Sequence, residues 1–271
     1  METEQNKNPR EEPQPETKNV SLFAVGSVLS RSWNTLLKNP VVFFALSFLV
    51  FILIRIIEYS LKSILISEYN VYIPPPRGVL ISYALLKLFF NVLLWQWISG
   101  AFAYGVYQTL KGNKAYLGES LLHGTKRIFS LFCIGLLSGL GYVFVFFLGS
   151  LLNPILGLVF FFMLMCMWAV AIPVCAVERL GAVESMSRSS GLTKGCRMKI
   201  LGIIIVAGIF TIAIGFVISL FEQQSVILNE ILRLVGIVPM AFGLVTTAVT
   251  YYSLLETKEG KTVDSLANVF D

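Results

Sequence analysis

Residues 40–59, 79–110, 128–152, 154–177, 200–221 and 231–255 form six apolar stretches. Each is long enough to cross a hydrocarbon layer of about 30 Å, which takes about 20 helical residues. Inside such a layer the backbone N–H and C=O groups have no water to bond, so each stretch must satisfy them within itself, as a helix does. Fifty-six per cent hydrophobic residues against 14% charged ones, with a mean hydropathy of +0.76, leave too little polar surface to cover a soluble core. The expected fold is therefore an all-α polytopic membrane protein with six transmembrane helices. The second stretch is too long for a perpendicular span, so it must tilt or project at one end.

Charge placement gives the expected orientation. Sixteen Lys and Arg fall in the N-terminal segment, the second and fourth connections and the C-terminal segment, whereas the other connections hold Lys62, Arg77 and Arg233. Basic residues accumulate on the cytoplasmic side, so both ends are expected there, in the cytoplasmic membrane. The net charge of +5 is clustered beside apolar runs, which suits this asymmetry better than nucleic-acid binding. Residues 1–19 are polar, rich in Glu, Pro, Asn and Lys, and read as a disordered cytoplasmic tail rather than a signal peptide. Insertion would then be driven by the first apolar helix, and residues 20–271 form the membrane domain. Cys133, Cys166, Cys175 and Cys196 form no CxxC pair and read as buried packing residues.

The connections share a grammar. A turn, a short amphipathic segment and an apolar span recur, with junctions GSVL at 26–29, ESLL at 119–122, ESMS at 184–187 and DSLA at 264–267. LSRS at 29–32 returns as MSRS at 186–189. In the first segment Leu22, Val25, Leu29, Trp33 and Leu36 share a helical face, opposite Ser30, Arg31, Asn34 and Lys38. Val263, Leu266, Ala267 and Phe270 repeat that spacing near the C-terminus. The expected architecture is three units, each an interfacial helix followed by a transmembrane hairpin, closed by a C-terminal interfacial helix. His123 and Gly124, like Ser190 and Gly191, interrupt the apolar faces of the middle two segments. Gly135 with Gly139, Ala101 with Gly105, Gly208 with Gly215, and Gly236 with Gly243 have the spacing of helix-packing positions. Pro173 and Pro239 should bend the fourth and sixth helices.

Residues 172–205, IPVCAVERLGAVESMSRSSGLTKGCRMKILGIII, place a proline and a terminal Glu before a small-polar and basic segment. Residues 251–271, YYSLLETKEGKTVDSLANVFD, and the N-terminal stretch VGSVLSRSWNTLLKNPVVFF at 25–44 complete a pattern. Together they resemble the YciC-like bacterial membrane proteins and the related membrane domain of glycerophosphoryl diester phosphodiesterases. The resemblance implies a six-helix bacterial cytoplasmic-membrane protein. It carries over no functional residues, and no phosphodiesterase catalytic domain accompanies it here.

Two groups of charged residues are candidates for function. Arg188, Lys194, Arg197 and Lys199, with Lys126 and Arg127, lie beside interfacial segments and could contact anionic headgroups of the inner leaflet. The same charges serve as the orientation signal. Arg55, Glu58, Lys87, Glu230 and Arg233 form a candidate outer polar cluster, read as anchors that snorkel and pair or, alternatively, as a substrate pathway. Glu178 reads as an interfacial anchor. His123, the only histidine, has no nucleophile or metal-ligand partner in any motif, and no cofactor motif is present. The favoured reading is a non-enzymatic membrane protein acting through lipid contact or through partner assembly in the envelope, with a protein partner or a second copy as candidates. A transporter or permease for a small or lipidic substrate is the alternative, and a membrane-embedded enzyme fits least, since the spans lack convergent polar groups.

The asymmetry predicts the labelling pattern in sealed cells. Cys196 and a Ser265→Cys variant should be shielded from impermeant thiol reagents, whereas Ser67→Cys and Gln224→Cys should react. Labelling on the 196/265 side would reverse the topology.

Overall fold

The computed structural model describes residues 23–67, 69, 74–220 and 232–260. The tail at 1–19, the C-terminal segment at 261–271 and Glu230 lie outside the described residues. Among the described residues the chain is helical, and six spans are long and apolar enough to cross a membrane: Pro40–Ile66, Arg77–Leu110, Ile128–Leu152, Pro154–Glu178, Arg197–Ser219 and Leu232–Glu259.

Each pair of spans follows a short helix. Helix α1 (Val25–Lys38) precedes α2 (Pro40–Ile66) and α3 (Arg77–Leu110). Helix α4 (Leu117–Lys126) precedes α5 (Ile128–Leu152), α6 (Pro154–Trp168) and α7 (Ala171–Glu178), the last two making one span. Helix α8 (Ala182–Thr193) precedes α9 (Arg197–Ser219), a helical turn at 232–235 and α10 (Ile237–Glu259). The local chemistry explains the corners. Pro40 and Pro154 each occupy the first turn of a span, where a missing N–H costs nothing. Asn153 caps α6 by accepting from the Ile155 amide at 2.8 Å, which tightens the α5–α6 hairpin. Gly112 and Gly195, with φ of 85° and 82°, take left-handed turns before α4 and α9.

The three short helices gather at one end of the bundle, here termed the capped end. Helix α1 packs on α10, α4 on α3, and α8 on α6 and α7. Helix α4 lies alongside α3, antiparallel to it: Tyr104 stands by Glu119 and Thr125 by Trp97. That contact also settles the excess length of α3. Most of residues 96–109 are buried among the helices of the capped end, while the apolar stretch of α3 is left unburied, free to face lipid.

Packing revises several expectations. The buried face of α1 carries Val28, Ser32, Thr35 and Leu36, so it is rotated from the apolar face read in the sequence, and Trp33 is 43% exposed. Ser32 and Thr35 tolerate burial because their hydroxyls donate to Val28 and Arg31 carbonyls at 2.7 Å. Gly124 is a contact point rather than a flaw: a Cβ there would meet the Trp97 carbonyl at 2.8 Å. Gly135 packs against Gln96, but Gly139, Gly208, Gly215 and Gly243 face open space. The closest approach of backbone to a glycine is a pair that the spacing pattern did not mark, Gly149 against Gly157, where an added Cβ would lie 2.6 Å from backbone. A side chain there would force the α5–α6 hairpin apart at about 1–3 kcal/mol. Cys166, Cys175 and Cys196 are buried as expected, whereas Cys133 is exposed on α5. Burial alone would shield Cys196 from reagents, so the exposed Lys194 is the better site for a reporter cysteine on that side.

Candidate functional site

The two repeated Ser-Arg-Ser segments meet at one place. Arg31 of α1 grips Glu256 with two parallel bonds, Nη1 to Oε2 at 2.6 Å and Nη2 to Oε1 at 2.8 Å. Arg188 of α8 donates from Nε to Glu178 at 2.9 Å and pairs through Nη2 with Glu259 at 2.6 Å. Glu256 and Glu259 are three residues apart, so both arginines hold the last turn of α10. Tyr251, fully buried, donates its hydroxyl to Glu178 at 3.1 Å, and Lys258 donates to the Gly191 and Lys194 carbonyls. The second serine of each segment is also bonded to a backbone carbonyl. Ser32 bonds within α1, and Ser189 donates to the Met167 carbonyl in the last turn of α6. Burial works against the Arg188 charge, but the hydrogen bonds it donates to Glu178 and Glu259, with their negative charge, outweigh it and push its pKa up.

Arg188 of the expected lipid-contact cluster is thus paired with two carboxylates, a structural role that the sequence reading did not include. Lys194 and Lys126 are exposed, while Arg127 and Lys199 are partly buried. Arg197 is half-buried, with its Nε enclosed and without a hydrogen-bond partner among the described residues. His123 stacks on Tyr104 at 3.8 Å, and burial, the largest influence, lowers its pKa. At the far end, Glu58 joins Arg55 at 3.1 Å and Lys87 at 2.6 Å, a set of the kind that anchors two helices. Arg233 stands apart in sequence, exposed in the turn before Gly236.

A cavity of about 590 Å³ lies among α3, α5, α6, α7, α9 and α10. Many of its walls fall near the middles of their spans, Tyr142 on α5, Met165 and Trp168 on α6, Ala207 and Thr211 on α9 and Gly243 on α10, whereas Gly236 and Pro239 lie near the start of the sixth. Both helix breaks border it. The fourth span breaks at Ala169 and Val170, the sixth at Gly236, and a proline follows each break by three residues, Pro173 after Val170 and Pro239 after Gly236. Proline has no N–H, so the carbonyls of Ala169 and Val235 cannot receive the usual i+4 amide. Among the described residues, Tyr142 is the one ionisable side chain that lines the cavity. Ser99, Thr211 and Thr247 donate their hydroxyl protons to their own helices, to Trp95, Ala207 and Gly243 carbonyls. What remains is an apolar chamber with a few acceptor oxygens and indole and phenol edges. Such a chamber suits an apolar guest and disfavours an unpaired ion. The sequence marked both prolines, but the chamber needs the side-by-side placement of α9 and α10, which no local pattern encodes.

No protein-family model, no curated protein and no solved structure matches the chain. Function must be read from these two features.

Removing Arg188 leaves two carboxylates facing each other without their cation. Arg188→Gln should cost about 2–3 kcal/mol, and Arg31→Gln, whose pair is a third exposed, about 1 kcal/mol. Thermal unfolding in detergent checks this. The Arg188→Gln/Glu178→Gln double variant should recover part of the loss, and an unchanged melting temperature in Arg188→Gln would refute the network.

Proposed function

We propose that this is a non-enzymatic membrane protein that binds a lipidic guest in the chamber between its broken helices. The capped end, rich in Lys and Arg, then faces the cytoplasm, with the short helices at the headgroup level of the cytoplasmic membrane. The single observation that carries the reading is the chamber itself. It is mid-span, within the about 300–1,000 Å³ range of ligand pockets, and walled by aromatic and small residues. Helix α9 supports lateral entry, since it buries Ile200 and Ile203 near the capped end and exposes much of its remaining length. Lys126, Arg127, Lys194 and Lys199 contribute a surface attraction for anionic lipid, each about 1 kcal/mol and weakened by salt.

Passage of the guest through the protein is a second reading. It is favoured by the proline-linked interruptions of the fourth and sixth spans, both of which border the chamber, since interrupted helices are how transporters build substrate sites.

Gly243 gives a clean test, because it lines the chamber and a Cβ there meets nothing within 4 Å. Gly243→Leu should therefore fill the chamber without strain. Native mass spectrometry of the purified protein should show retained lipid in the wild type, several-fold less in Gly243→Leu, and no change in Gly208→Leu, which faces open space on α9. Equal retention in all three would defeat the reading.

A further inference from the structure

The chamber lacks a charge of its own, but one cation stands below it. Arg197, Ile204 and Thr211 are seven residues apart, so they share one face of α9, and the latter two line the chamber. Seven helical residues rise about 10 Å, which puts the Arg197 backbone that far towards the capped end from Ile204. Arg197 is half-buried, its Nε is enclosed without a hydrogen-bond partner among the described residues, and its charge reaches Cys166, buried in α6 next to chamber-lining Met165.

Every described carboxylate at the capped end is engaged with another group. Glu178 accepts from Arg188 and Tyr251, Glu259 pairs with Arg188, and Glu256 pairs with Arg31. Glu184 accepts from the Gly181 amide, and Glu119 from the Tyr104 hydroxyl. The other described carboxylate, Glu58, belongs to the far-end set. A partly desolvated cation beneath an apolar chamber is costly unless an anion joins it.

We propose that the guest is an anionic amphiphile whose head group is held by Arg197 while its hydrocarbon chain lies along the Ile204–Ala207–Thr211 face of α9. This rests on the chamber reading above and names its ligand class. The chemistry fits a fatty-acid carboxylate and a phospholipid phosphate equally, because guanidinium binds either with two parallel bonds. The uncharged acceptors of Ser99, Thr211 and Thr247 then face the chain without opposing the head.

Binding of two probes to the full-length protein in detergent separates the claims: oleate, and oleyl alcohol, which keeps the chain and loses the charge. Oleate should bind about tenfold more tightly than the alcohol, the factor that one charge-assisted pair supplies. Arg197→Gln should abolish that preference and leave alcohol binding unchanged, which also shows that the variant is folded. Arg197→Lys should keep most of it. Equal binding of both probes to the wild type, or a preference that survives Arg197→Gln, would overturn the Arg197 assignment while leaving the chamber intact. If Gly243→Leu leaves both probes bound as before, the chamber reading itself falls, and this one with it. Competition by phosphatidylglycerol but not phosphatidylcholine assigns the head to a phospholipid. Failure of both to compete assigns it to a free carboxylate, and either result supports an anionic guest.

Discussion

Much of the arrangement turns on how the last turns of α10 are held. In lipid there is no hydrophobic force driving one apolar helix onto another, so apolar spans alone do not specify a bundle. Specific contacts must do it, and here they converge on Tyr251, Tyr252, Glu256, Lys258 and Glu259. Arg31 and Arg188 reach those carboxylates from α1 and α8, and Tyr252 donates to the Ala103 carbonyl on α3 from a fully buried position. One helix end thereby fixes three others. The pairs sit at the capped end, where charges stay partly hydrated, and the mid-span stretches are left apolar.

That division of labour leaves room for the chamber. A bundle tied together at one end can keep its middle loosely filled, and both proline-linked breaks border the space that results. Ser189 and Thr193 of α8 both donate to the Met167 carbonyl beside the first break, so the capping helix also supports the broken one. Irregular backbone at membrane depth is tolerated where protein or a cavity, rather than lipid, surrounds it. The breaks and the chamber therefore belong together physically.

The spans and the short helices were legible because their signals are local: unbroken apolar length, turn residues and 3.6-residue periodicity. The prolines announced the breaks for the same reason. The pairing of Arg31 with Glu256 was not legible, although the repeated Ser-Arg-Ser and the Glu256/Glu259 spacing were both visible. It joins groups 225 residues apart in the chain, and only the tertiary fold brings them together. The same cause rotated the buried face of α1, since reaching Glu256 turns Ser32 and Thr35 inward and Trp33 partly outward. Gly124 read as an interruption because a hydrophobic pattern scores side chains, whereas close helix contact needs their absence. Arg188 read as a lipid contact because charge counting does not see the carboxylates that claim it.

The chamber between the broken helices is most directly tested by a high-resolution map of the full-length protein in nanodiscs of native lipid. Elongated non-protein density should lie beside Ile204, Ala207 and Thr211, with its polar end at Arg197 and both helix breaks preserved. A map in which α9 closes against α10, the side chains fill the space and no density remains would contradict it.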